Sequence, residues 1–397
     1  MSMSETPRGE RVHIAFFGRR NAGKSSLLNA VTGQNLSVVS NVKGTTTDPV
    51  YKAMELLPIG PVVVIDTPGI DDVGELGELR VKKAKEVLKK TDIAIVVVEN
   101  ELGDFENKLL DDIKNRNLPY IIVYTKSDIY GDRVLGENEI AVSSVENKGI
   151  NELKEMIGKF NVNKNEKTLI SHMLDKGDIV VLVVPIDKSA PKGRLILPQQ
   201  QVIRDCLDCG AVALVCKDTE LRDIIDKFSD NIKLVVTDSQ IFPFVDKVTP
   251  ENILMTSFSV LFARYKGNIG QAVRGAKKLN EINDSSRILI SEGCTHHRQC
   301  GDIGTEKLPN LVRKFTGSNP SFEFTSGTEF PENLSDYDLV IHCGGCMINE
   351  KEMANRLRVA EGQGIPMTNY GTAIAYMTGI LERSLKPFNV LSGEVYL

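Results

Sequence analysis

Two sets of residues in this chain have the types and spacing to do chemistry. One is sulfur-rich: Cys294-Thr295-His296 follows the apolar run RILISEG, and the run YDLVI ends in His342-Cys343-Gly344-Gly345-Cys346. Thiolates and imidazoles are metal ligands, and a glycine-hinged Cys-x-x-Cys turn can aim both sulfurs at one centre. Three thiolates from two loops suit an iron–sulfur cluster, because open glycine backbone can approach sulfur and donate N–H hydrogen bonds to it. A structural zinc ion on Cys294, Cys343, Cys346 and either His296 or His342 satisfies the same spacing as a Cys₃His tetrahedron. Spacing alone does not separate the two metals. Plain packing of the thiols is the third reading, although glycine-flanked cysteines at strand ends fill a core poorly. Cys300 is a further thiol that can replace one of the three.

The second set binds phosphate. GRRNAGKS, Gly18 to Ser25, lies between the strand-like RVHIAFF and the helical SLLNAVTG. A G-x-x-x-x-G-K-S loop in that setting wraps phosphates with backbone N–H groups and a helix N-terminus. Gly18, Asn21, Ala22, Gly23, Lys24, Ser25 and Ser26 are the contact candidates. Lys24 is expected to reach the β- and γ-phosphates and Ser25 to hold Mg²⁺. VVVIDTPG then supplies Asp66 for the Mg²⁺ water shell and the Gly69 amide for the γ-phosphate. In the intervening GTTTDP, Thr46 is the first choice to close over Mg²⁺, with Thr45 and Thr47 as rivals. Thr125-Lys126-Ser127-Asp128 follows the strand YIIVY, and the Asp128 carboxylate can accept from the N1–H and N2–H₂ of guanine, a pattern adenine does not offer. Ser143 and Ser144 in IAVSS are placed to pack against that base. The ligand expected is GTP with Mg²⁺.

The elements that must position these groups alternate. Strand-like runs followed by helical periods recur along the chain, which predicts an α/β fold of three domains, a P-loop domain followed by two smaller parallel-sheet domains. The expected limits are 1–165, 170–265 and 270–397, with NVNKNEKT as the first linker. In the last domain RILIS, SFEFT, YDLVIH and GIPMTN read as parallel strands, so Cys294, His342, Cys343 and Cys346 should leave one carboxyl edge together. In the middle domain DIVVLVV, AVALVC and KLVVTD are strands, and Cys206, Cys209 and Cys216 are expected to pack rather than to bind metal. The Pro/Gly-marked loop PIDKSAPKGRLILPQQ carries Asp187 at a strand's carboxyl end, where it can project beyond its own domain or remain a solvated carboxylate.

The bulk numbers narrow the class. With 41% hydrophobic and 25% charged residues, the 397-residue chain has a globular composition, and its net charge of −5 argues against a nucleic-acid-coating surface. The aliphatic runs are strand-length, far short of a membrane span, and the start MSMSETPRGERV carries no apolar leader, so a cytoplasmic location is expected.

Residues 1–165, with their nucleotide motifs in this order, resemble the Era/TrmE-like translation-factor class of GTPases. Two positions depart from that class: Thr125 stands where asparagine is usual, and Ile70 follows DTPG where Ras-like enzymes carry a water-orienting glutamine. Hydrolysis is therefore expected to be slow. The class often uses a P-loop asparagine to bind potassium, and Asn21 stands at that position, a loop-bracing amide being the alternative. A GTPase acting on tRNA or ribosomes with a zinc-binding appendage is the rival reading.

Cys294-x-His296 together with His342-Cys343-x-x-Cys346, in a chain that also carries these GTPase motifs, resembles the FeFe-hydrogenase maturation GTPases, the HydF family, over its whole length. The resemblance implies a G domain, a middle dimerisation domain and a C-terminal cluster domain. It further implies a 4Fe-4S cluster on Cys294, Cys343 and Cys346, in a scaffold that receives a di-iron subcluster precursor and passes it to the apo-hydrogenase. The partners implied are radical-SAM hydrogenase maturases and a second copy of the chain. An exchangeable fourth cluster position is implied as well, with Asp187, His296 and His342 as the local candidates. Oxygen or neutral imidazole holds iron less firmly than thiolate does, which suits exchange.

Overall fold

The computed structural model describes residues 8–33, 48–57, 59–69, 75–131, 133–160, 167–186, 195–293, 302–327 and 329–396. The chain forms two compact units, Met1–Lys164 and Asn165–Leu397.

The first unit is built on strands β1 (Val12–Phe17), β2 (Val50–Leu56), β3 (Gly60–Asp66), β4 (Ile93–Val98), β5 (Tyr120–Tyr124) and β6 (Glu139–Ala141). They lie in the order β2-β3-β1-β4-β5-β6, all parallel except β2, which runs antiparallel to β3. The central strands β1 and β4 are buried throughout, as continuous aliphatic runs covered on both faces should be. The connections reverse direction at β1, which has β3 on one side and β4 on the other. A crevice outside the carboxyl ends at such a reversal is where open α/β sheets bind ligands.

The second unit holds two parallel four-stranded sheets. One has the order β10-β9-β7-β8, from β7 (Ile179–Val183), β8 (Val212–Cys216), β9 (Ile232–Thr237) and β10 (Leu254–Ser257). The other has the order β12-β11-β13-β14, from β11 (Arg287–Ser291), β12 (Ser321–Thr325), β13 (Leu339–His342) and β14 (Met367–Asn369). A single apolar cluster runs from Val180, Val181, Leu182 and Val183 in β7, and Leu234, Val235 and Val236 in β9, to Ile288, Ile290 and Ile341 in the second sheet. The two sheets thus share a core. The helix Leu381–Ser392, late in the chain, returns to pack on β10, and Arg383 donates to Asp246 Oδ1 at 2.7 Å and to the Thr249 carbonyl at 2.7 Å.

Among the described residues, no helix is long and apolar enough to cross a membrane. The α/β architecture with two parallel sheets after a P-loop domain agrees with the sequence reading. Three strands escaped it, β2, β6 and β10.

Candidate functional site

In the first unit the loop after β1 turns sharply into the helix Lys24–Thr32. Gly18 at φ 154° and Gly23 at φ 86° occupy backbone that side chains disfavour, and a Cβ on Gly18 would lie 2.3 Å from the Val97 carbonyl oxygen. Asn21 takes a left-handed conformation at φ 61°. The buried Lys24 ammonium bends back over the loop, donating to the Gly18 and Arg19 carbonyls at 2.8 and 2.6 Å. Ser25 donates to Asp66 Oδ2 at 2.9 Å. The other Asp66 oxygen is buried without a protein partner, and burial raises the pKa of this carboxyl against the Ser25 hydrogen bond and the Lys24 charge. A hydroxyl beside a buried carboxylate with a spare oxygen fits a hydrated Mg²⁺ ion. Gly69 lies so close to the loop that a Cβ there would sit 2.8 Å from the Arg20 Cα.

The base-reading segment joins this site through Thr125. Its hydroxyl, beyond the end of β5, donates to the Ala22 carbonyl at 2.8 Å, so the residue that replaces the usual asparagine still ties its strand to the phosphate loop. Ser127 N donates to the Val142 carbonyl at 3.1 Å, bringing Lys126 and the exposed Asp128 beside Ser143 and Ser144. Lys126 Nζ donates to Glu99 Oε1 at 2.5 Å. Glu146 N donates to Ser143 Oγ at 3.1 Å, closing that loop. Thr46 and its rivals lie outside the described residues.

The sulfur-rich set is organised by β11 and β13, adjacent parallel strands in which Ser291 is opposite His342. Both chains therefore leave the sheet at the same edge. The Gly293 amide donates to Cys343 Sγ at 2.9 Å, and the Gly345 amide to the same sulfur at 3.4 Å. Burial raises the Cys343 thiol pKa against these two donors, and the Cys346 thiol is pushed up to about 11, chiefly by burial. Metal binding to such thiols must displace protons, which couples it to pH. Gly345 is left-handed at φ 66°, and a Cβ there would meet the Met353 methyl at 2.4 Å, whereas a Cβ on Gly344 would meet nothing closer than the Ser259 hydroxyl at 3.8 Å.

His342 has a different station. Its ring is 1% exposed, Nδ1 lies 2.6 Å from the Cys343 carbonyl, and Nε2 lies 3.0 Å from Arg356 Nη1. A guanidinium can only donate, so Nε2 accepts and Nδ1 carries the proton. Burial, and then the Arg356 charge, push the His342 pKa down to about 3. Arg356, fully buried, also donates to Glu352 Oε1, Ser291 Oγ and the Gly327 carbonyl, which locks the strand ends beneath the turn. Cys294, His296 and Asp187 lie outside the described residues, as does Cys300. Among the described residues, no three His, Cys, Asp or Glu side chains gather as a metal-binding set. The donor chemistry nonetheless fits an iron–sulfur cluster: two thiols on one turn, with two amides aimed at one of the sulfurs. In the second unit Cys206, on the helix Leu197–Asp208, and Cys216, at the end of β8, are buried, and burial raises their pKa values to about 12 and about 11, as inert packed thiols require.

Two residues at this edge escaped the sequence reading. Arg356 gave no signal, since an arginine in EKEMANRLRVAEG looks like part of a solvated helix face. Lys266, in ARYKGN, is likewise unremarkable as sequence, yet its ammonium lies under the cysteine turn.

Comparison with known proteins matches three stretches of the chain. Residues 13–126 match the family described as a 50S ribosome-binding GTPase, residues 169–267 the hydrogen maturase F dimerization domain, and residues 270–387 the hydrogen maturase F tetramerization domain. The tRNA modification GTPase MnmE of Legionella pneumophila is 33% identical over 153 residues, covering 37% of this chain and 34% of that protein. MnmE of Lachnoclostridium phytofermentans is 30% identical over 195 residues, covering 45% and 42%. The chain thus spans about a third to two fifths of the length of these curated relatives. Among solved structures, the G domain of the T. maritima FeoB iron transporter is 26% identical, with 38% of this chain and 98% of that chain covered at a TM-score of 0.31. The first unit is a P-loop GTPase domain, and the second carries two domains of a kind that assembles into oligomers.

Proposed function

Because the chain belongs to the hydrogen maturase F family and is a hydrogenase maturation GTPase, we propose that its last domain is the cluster-bearing carrier site of that process. In this reading Cys343 and Cys346 hold a 4Fe-4S cluster together with Cys294. The observation that carries it is the 2.9 Å hydrogen bond from Gly293 to Cys343 Sγ, since Cys294 is the next residue along the chain. When bound, the cluster supplies an iron with no thiolate of its own, to which a di-iron precursor can attach and from which it can leave for the apo-hydrogenase. The protein's part is to hold the thiolates and donate amides to sulfur. Of the three fourth-ligand candidates, His342 has both ring nitrogens committed to protein partners, which favours Asp187 or His296.

The nucleotide domain acts as the switch: Lys24 neutralises phosphate charge, Ser25 and Asp66 hold Mg²⁺ with Thr46, Gly69 meets the γ-phosphate, and Asp128 selects guanine. Asn21 is the candidate potassium ligand. Dimerisation through the middle domain is supported by β8, an edge strand whose Val212 and Val215 are exposed. Radical-SAM maturases and the apo-hydrogenase are the partners. The tRNA-related reading rests on relatives that align over less than half of this chain, so their substrate is not carried over.

The test is single substitution of Asp187 and His296 to alanine after anaerobic reconstitution, read by electron paramagnetic resonance of the reduced cluster. One of the two should change the signal. A signal unchanged in both, and changed in His342→Ala, would reverse the assignment.

A further inference from the structure

The cysteine turn is not supported by its own domain alone. The helix Phe258–Tyr265 belongs to the stretch matched as the dimerization domain, and it begins at Ser257, whose Oγ accepts from Val260 N at 3.2 Å. Immediately after it, Lys266 turns its side chain into the protein and is 4% exposed. Its Nζ donates to the Ile348 carbonyl at 3.0 Å, the Cys346 carbonyl at 3.1 Å and the Gly345 carbonyl at 3.4 Å. The same ammonium lies 5.8 Å from the centre of the Phe262 ring.

We propose that Lys266 is a positioning residue for the cysteine site, fixing the Cys343–Ile348 turn through three carbonyls and adding a positive charge beside it. Burying an ammonium costs several kcal/mol unless its protons are satisfied, so a lysine in this station is held by the groups it serves. Hydrogen bonds from charged donors are stronger than neutral ones, and three of them converge on a four-residue stretch that includes a thiol ligand candidate. Without them the left-handed Gly345 and the weak Gly345 N–Sγ contact would be free to rearrange. The charge has a second consequence. A fixed cation near a cluster stabilises the added electron, so it raises the reduction potential. The dimerization module thereby supplies part of the carrier site. The electrostatic half of this proposal rests on the cluster reading above, whereas the positioning half does not.

The experiment uses the full-length chain, wild type against Lys266→Met and Lys266→Gln. Met removes donors and charge; Gln removes the charge but keeps an amide donor should Met fail to fold. In the metal-free proteins, hydrogen exchange at the Gly345 and Ile348 amides should accelerate roughly tenfold in Lys266→Met. GTP turnover should be unchanged. In the reconstituted proteins, redox titration should give a lower cluster potential for both variants. Unchanged exchange at these amides overturns the positioning role, and a potential equal to wild type overturns the electrostatic one. If wild type assembles no cluster while exchange still accelerates, the cluster reading fails and the positioning role stands.

Discussion

The Gly293 amide and the Cys343 sulfur, 50 residues apart in sequence, meet at 2.9 Å. The pairing of β11 with β13 makes this possible by bringing two strand ends to one edge, where the backbone of one loop donates to the thiol of the other. Replacing Cys343 by alanine should abolish iron–sulfur assembly and leave GTP turnover within about twofold of wild type, since the nucleotide motifs lie in a separate compact unit. Iron content and phosphate release on the same preparation check this; an intact cluster spectrum would mean that another residue ligates.

The two glycines of the turn should respond differently. Gly345→Ala forces a left-handed residue and drives a methyl toward Met353, and should lower stability by about 1–2 kcal/mol or more. Gly344→Ala makes only ordinary van der Waals contact, with Ser259 and Phe262, and should fall within about 0.5 kcal/mol of wild type. Urea midpoints of the metal-free variants distinguish them.

Lys24→Ala removes the cation that the phosphate loop folds around and should reduce GTP hydrolysis by roughly a hundredfold or more. Cluster assembly should be retained in the same variant. Loss of both in parallel would mean that the units do not fold independently.

Much of this was legible in the sequence, for reasons that differ between residues. The phosphate loop declares itself because its chemistry is local: glycines, lysine and serine act within one turn between a strand and a helix. The shared edge of Cys343 and Gly293 was inferable because aliphatic strands that alternate with helices must pair in parallel. Lys266 and Arg356 were not legible. Both are cations on amphipathic stretches, and only tertiary packing shows that one is spent on backbone carbonyls and the other on His342, Ser291 and Gly327. The commitment of His342 was hidden for the same reason, because its partner Arg356 lies beyond the turn, in the helix Glu350–Gly362. Strand β2 escaped because VYKAMEL is mostly exposed at a sheet edge and lacks an apolar run.

His342 should make stability pH-dependent. Its folded pKa is pushed down to about 3 from 6.5, so between these values the unfolded chain binds a proton that the folded one refuses. This contribution is fully present above pH 6.5 and is lost as pH falls toward 3. Denaturant midpoints measured across that range should decline less steeply in His342→Gln, whose side-chain oxygen can still accept from Arg356.

The most direct test of the account is anaerobic reconstitution of the wild-type chain with iron and sulfide, with metal and sulfide content measured alongside electron paramagnetic resonance of the reduced sample. The account predicts about four irons and four sulfides per chain with a 4Fe-4S signal that Cys294→Ala eliminates. A colourless product carrying one zinc per chain, or a cluster indifferent to Cys294, would contradict it.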